Sequence, residues 1–114
     1  GWKETAEAAR AVSAALPWLA RAQAVQAISY GEDADASLRS LHAYLKAQGV
    51  ETEVHGGGPE EGRAGEKLLW AAADMSADLL VMGCYGHSRA REWVLGGATR
   101  SLLRSMTLPV LMSH

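Results

Sequence analysis

An α/β fold built on a layered parallel sheet is what this sequence predicts, and three observations lead there. Segments of helical and strand character alternate along the whole chain, helix first, four of each. Strands separated by helices join through right-handed parallel crossovers, which places helices on both faces of the sheet. "DLLVMG", residues 78–83, is a continuous apolar run of the kind required by a central strand buried on both faces.

Each element has its own signal. "ETAEAARAVSAAL" is rich in helix formers and sets Ala8, Ala9, Val12, Ala15 and Leu16 on one face, predicting a helix from about Glu4 to Leu16 that stops or restarts at Pro17. "AVQAIS" predicts a short strand ending near Tyr30. "GEDADAS" offers Asp35 or Ser37 as an N-cap for a second helix, in which Leu38, Leu41 and Leu45 recur until Gly49 closes it. "VETEV" alternates as an edge strand does, and "GGGP" ends it. A third helix is predicted over about Glu60 to Met75, with Pro59 suited to its first turn. After "DLLVMG" come a short helix around "ATRSLLRSM" and a last strand, "LPVLM", whose Pro109 belongs at a sheet edge. Sheets of this kind open on a strand, whereas this chain opens on the threshold of a helix; the expectation is one domain, residues 1–114, lacking its first, central strand.

At 114 residues the chain suits a single core. Its apolar runs are far shorter than the roughly 20 residues of a membrane span. Neither a leader pattern nor a pair of cysteines is present, so a soluble protein of a reducing cytoplasm is expected. A net charge of −2 argues against broad binding to nucleic acid. That charge is unevenly spread: residues 1–78 carry a net −5, and residues 79–114 set Arg89, Arg91, Arg100 and Arg104 against Glu92 alone. Arginines so grouped form either a solvated helix face or an attractive field for an anion.

The positive segment surrounds "MGCYGHSRAREWVLGGATRS", with glycines at 83, 86, 96 and 97. In parallel sheets, ligands bind beyond the carboxyl ends of the strands. Gly83 permits a sharp turn there, Gly86 permits close approach, and Gly96 and Gly97 open the next helix, whose amides at Gly97, Ala98 and Thr99 point at an anion. The Thr99 hydroxyl is a further donor. Neither GxxxxGK[ST] nor GxGxxG occurs, which excludes an ordinary P-loop or dinucleotide fingerprint. A phosphate cradle and a plain loop before a helix both remain open on spacing alone.

The same residues carry a family resemblance. Gly83, Gly86 and Gly96 stand in register with the Gly-x2-Gly-x9-Gly-(Ser/Thr) pattern of the nucleotide-binding branch of the universal stress protein family. "LLWAAADMSADLLVMGCYGHSRAREWVLGGATRSLLRSMTLPVLMSH" resembles the C-terminal half of that family, and "ETAEAARAV" its first helix. "YGHSRAREWVLGGATR" is most similar to bacterial tandem members, so the chain resembles the C-terminal domain of such a protein. The resemblance implies a Rossmann-like fold of the adenine nucleotide alpha hydrolase type and ATP, accompanied by magnesium, as ligand. It implies that Met82 and Gly83 approach adenine and ribose and that Gly86, Gly96, Gly97, Ala98 and Thr99 surround the phosphates. It also implies antiparallel pairing of the C-terminal strand with a second such domain, in the same polypeptide or in a homodimer. Two positions depart from the family: Gly97 replaces the Ser/Thr, and Lys3 stands where an acidic residue often holds adenine or ribose. An ammonium accepts no hydrogen bond.

The remaining residues have plainer alternatives. His87 and Ser88 are candidates for phosphate contact, yet Ser88 equally suits an N-cap for a helix through "RAREWVL". Cys84 has no partner cysteine and is better read as structural. His42, His55 and His114 have no metal-ligand spacing, and Trp70 and Trp93 are expected as core or interface anchors. No catalytic residue can be assembled from a nucleophile, a base and an orienting group. A stress-response, ligand-sensing or interaction module follows, with ATP binding and at most slow hydrolysis. Its rival is a nucleotide-free pairing module with a degenerate site.

Overall fold

The computed structural model describes residues 1–59, 63–84 and 97–114, with residues 97 and 98 described by backbone alone. Along these residues run α1 (Ala6–Leu19), β1 (Gln26–Ser29), α2 (Ala34–Ala47), β2 (Glu53–Gly56), α3 (Ala64–Asp74), β3 (Leu80–Gly83), α4 (Gly97–Ser105) and β4 (Val110–Ser113). Helix and strand alternate as predicted, and β1 pairs with β2, and β3 with β4, in parallel.

The Thr5 hydroxyl caps α1 by accepting from Ala8 N at 3.2 Å, and Ala8, Ala11, Val12 and Ala15 form its buried face. Contrary to expectation, α1 does not stop at Pro17 but continues to Leu19. A proline in the last turn removes a single amide donor, and Ala20 N bonds Leu16 O at 2.9 Å to close the turn around it. Helix α2 places Asp33, rather than Asp35 or Ser37, at its N-cap. Asp35 falls in the first turn, where a carboxylate complements the helix dipole, and Ser37 is buried. Leu38, Leu41 and Leu45 face the core as their spacing requires.

Two strands start later than their patterns suggest. Val50 N returns to Leu45 O at 2.9 Å, so Val50 serves as a buried anchor under the end of α2 and β2 begins only at Glu53. Pro109 has no amide to donate, but its carbonyl accepts from Leu80 N at 3.0 Å just before β4 begins. Helix α3 begins at Ala64; the predicted turn from Glu60 to Gly62 lies outside the described residues. Trp70 on α3 is 63% exposed and contributes nothing to the core, contrary to one of its two expected roles. Trp93 lies outside the described residues.

Alternation along β3 divides the interior into two layers. Leu80 and Met82 pack with Leu102 of α4 and Leu69 of α3. Val81 turns the other way, onto the cluster that holds Val12 of α1, Ala27 of β1 and Leu38 and Leu41 of α2. Helices therefore cover both faces, α1 and α2 on one and α3 and α4 on the other. The sheet itself is in two halves. Among the described residues no hydrogen bond joins β1 to β3; instead Trp2 N donates to Ile28 O of β1 at 2.8 Å and Gly1 N donates to Val81 O of β3 at 2.9 Å.

Candidate functional site

Because β3 and β4 run parallel, the helix connecting them must start at the edge where β3 ends. α4 opens there at Gly97, so the amides of Gly97, Ala98 and Thr99 are first-turn donors without intrahelical acceptors, at the positive end of the helix dipole. Of the residues expected to surround phosphate, these three are placed together. Thr99 is only 4% exposed, so its hydroxyl is enclosed within the protein. Gly86, His87, Ser88 and Gly96 lie outside the described residues, together with Arg89 and Arg91.

Met82 and Gly83 sit at the end of β3, each with a structural duty. The Met82 side chain is buried among Leu80 and Leu102, which leaves its backbone at the edge. A Cβ on Gly83 would stand 2.5 Å from Ala8 N and 2.9 Å from Ala8 Cα, both backbone atoms of α1. The glycine there lets the first turn of α1 lie directly on the strand end. Cys84 follows, its amide and its thiol both directed at Ser113 O, at 2.9 and 3.4 Å. Burial, reinforced by the charge of Glu7, raises its thiol pKa above the ordinary value, which suits a structural cysteine and not a nucleophile.

On the β1 side of the same edge the Tyr30 ring occupies the space where a side chain at Gly57 would stand. Lys67 Nζ of α3 sits 5.8 Å from the centroid of that ring. Burial raises the Tyr30 hydroxyl above its ordinary pKa. Sequence reasoning passed over this group. The only hint was the run of glycines at 56–58, read simply as the end of a strand.

Among the described residues no group of three His, Cys, Asp or Glu side chains is arranged to hold a metal ion. His42 Nδ1 is instead engaged with Thr52 O at 3.1 Å, and His55 lies 3.8 Å from Glu53 on the exposed strand β2. Nor is any described helix long and apolar enough to cross a membrane.

Comparison with known proteins gives this edge its context. The model of the universal stress protein family matches residues 4–114, nearly the whole chain. The chain belongs to the universal stress protein family. Among the family's members, Universal stress protein Slr1230 of Synechocystis sp. (strain ATCC 27184 / PCC 6803 / Kazusa) is 37% identical over 76 residues. Those residues make up 67% of this chain and 25% of the relative, so the chain matches about a quarter of that protein's length. No solved structure matches. The resemblance carried by "MGCYGHSRAREWVLGGATR" is thus borne out at the level of family and fold, and family membership makes the chain a stress-response module of the universal stress protein type.

Proposed function

We propose that this universal stress protein domain binds an adenine nucleotide, ATP with magnesium, through the segment Gly83–Thr99, and that it acts in the cytoplasm as a sensing or interaction module without a dedicated catalytic activity. One observation supports this above the others. β3 ends at Gly83 and α4 begins at Gly97, so the in-register glycines connect a strand end to a helix N-terminus whose free amides suit phosphate oxygens. The described residues fit the anionic part of such a ligand: α4 supplies donors, and Arg100 adds positive charge in its first turn. Bound there, the nucleotide would contribute the negative charge of its phosphates. The protein's contribution is to orient the phosphates against fixed dipoles.

A nucleotide-free pairing module is the second reading, and two features favour it. Lys3 offers no acceptor side chain, and among the described residues β4 has a strand partner on one side alone, with all four of its residues only half-buried. In that role, β4 would pair antiparallel with its counterpart in a second universal stress protein domain. Titration calorimetry with ATP and magnesium, beside mass spectrometry of whatever the denatured native protein releases, separates the two readings. Saturable binding or a released adenine nucleotide supports the first; neither, in a folded and paired protein, leaves the second.

A further inference from the structure

The amino ends of β1 and β2 border a cleft of about 350 Å³, at the opposite end of these strands from Tyr30 and Gly57. Its lining includes Ala24 and Val25 ahead of β1, His42 and Lys46 of α2, and Glu51 and Thr52 ahead of β2. Two hydrogen bonds hold the walls together. Glu53 N donates to Val25 O at 3.0 Å, joining the entrances of the two strands, and His42 Nδ1 donates to Thr52 O at 3.1 Å, joining α2 to the second of them. A carbonyl oxygen only accepts, so Nδ1 carries a proton. His42 and Lys46 stand four residues apart and so share one face of α2.

The cleft holds charges of both signs that do not neutralise each other. Among the described residues neither Lys46 nor Glu51 takes part in an ion pair, and Glu53, the other carboxylate there, lies 3.8 Å from His55. Thr52 is only 8% exposed, and its buried hydroxyl has no hydrogen-bond partner among the described residues. The dipole of α2 accounts for Lys46 in its last turn, but not for that hydroxyl. A buried polar group without a partner costs stability, and native folds carry few of them. A plain anion in the cleft would meet Glu51, and a plain cation would meet Lys46. Only a molecule that bears both charges suits both walls.

We infer that this cleft is a binding site for a small zwitterion, a free α-amino acid with a short apolar side chain. Lys46 receives the carboxylate and Glu51 the ammonium, while Ala24 and Val25 face the apolar part. The Thr52 hydroxyl, re-aimed by rotation about χ1, gains in the ligand the partner it lacks. Size follows from volume: ligand pockets span roughly 300–1,000 Å³, and one near the lower limit suits alanine, valine or leucine. The site shares no residue with Gly83–Thr99, so it stands or falls apart from nucleotide binding.

Amide NMR of the purified protein, titrated with alanine, valine and leucine, tests the inference. At least one of them should shift the amides of Ala24, Val25, Glu51 and Thr52 saturably, with a Kd below about 10 mM. Isobutylamine and isovalerate are valine without its carboxylate and without its ammonium, and each should bind at least about tenfold more weakly than the tightest amino acid. Lys46→Gln and Glu51→Gln should each weaken binding at least about fivefold. Thr52→Val should weaken it too, yet leave the thermal midpoint of the free protein no lower, because the lost hydroxyl had no partner there. No saturable shift with any of the three amino acids would overturn the inference. So would equal binding of either analogue, full affinity in any of the three variants, or a lowered midpoint in Thr52→Val.

Discussion

Gly83 at the end of β3 and Ala8 in the first turn of α1 are packed backbone to backbone: a single methyl group at 83 would approach Ala8 N to 2.5 Å. A contact this close cannot be relieved by rotating a side chain, because the obstructing atoms belong to a helix. It ties the strand that leads into the glycine-rich segment to the helix that starts beside it.

Gly83→Ala should therefore destabilise the fold by about 2–3 kcal/mol through overpacking. Denaturant unfolding followed by tryptophan fluorescence measures it. If the variant lost less than about 0.5 kcal/mol, α1 would have to be free to move off the strand, and the glycine would return to the list of residues kept for ligand approach alone.

The Gly1 nitrogen predicts a pH dependence. In a polypeptide whose first residue is Gly1, burial lowers this α-amino group from 8.0 to about 5. The folded state therefore favours the neutral amine, and its stabilising contribution is full above pH 8 and is lost as pH falls towards 5. Three pH units correspond to at most roughly 4 kcal/mol. Comparing thermal midpoints of the free and Nα-acetylated chains between pH 8 and pH 5 isolates the effect from the histidines. Two parallel curves would place the nitrogen in water.

For the proposed nucleotide site, the amides opening α4 are the decisive donors. Gly97→Asp sets a carboxylate against them and should abolish ATP binding. Gly97→Ser restores a hydroxyl and should tighten binding by about 0.5–1.5 kcal/mol. Titration calorimetry reads both. An affinity unchanged in Gly97→Asp would remove the start of α4 from the site.

On β4, Val110 and Met112 pack against the Leu80, Met82 and Leu102 cluster, while Leu111 points to the other side of the strand. Met112→Asp should lower stability by roughly 1–3 kcal/mol, since it places a charge on a partly buried packing position. Leu111→Lys should chiefly weaken association with a second domain, because charge on an edge strand opposes pairing. Sedimentation velocity and thermal unfolding of the two variants separate the effects. The pairing proposal fails if Leu111→Lys leaves the association state of an associating protein untouched.

Local periodicity alone determined the helix and strand order, the buried leucines of α2, the apolar β3 and the parallel connections, because each depends on residues a turn or a pleat apart. The spacing of Gly83, Gly86 and Gly96, together with the likeness of the C-terminal stretch and of "ETAEAARAV", was enough to reach the family. Only the tertiary structure decided what those positions contact. Gly83 is held by a helix 75 residues earlier in the chain, Gly57 by the Tyr30 ring, and Val50 by the end of α2 instead of by a strand. α1 passed Pro17 because a proline in a final turn forfeits one bond, which a propensity rule cannot weigh against the packing of Ala15 and Leu16. A missing central strand was expected from a sequence that opens on a helix, but which partners the first residues take was not. Gly1 and Trp2 read as the threshold of a helix, and only the structure shows that their amides bond in opposite directions, to Val81 and to Ile28, since such partners lie far away in sequence.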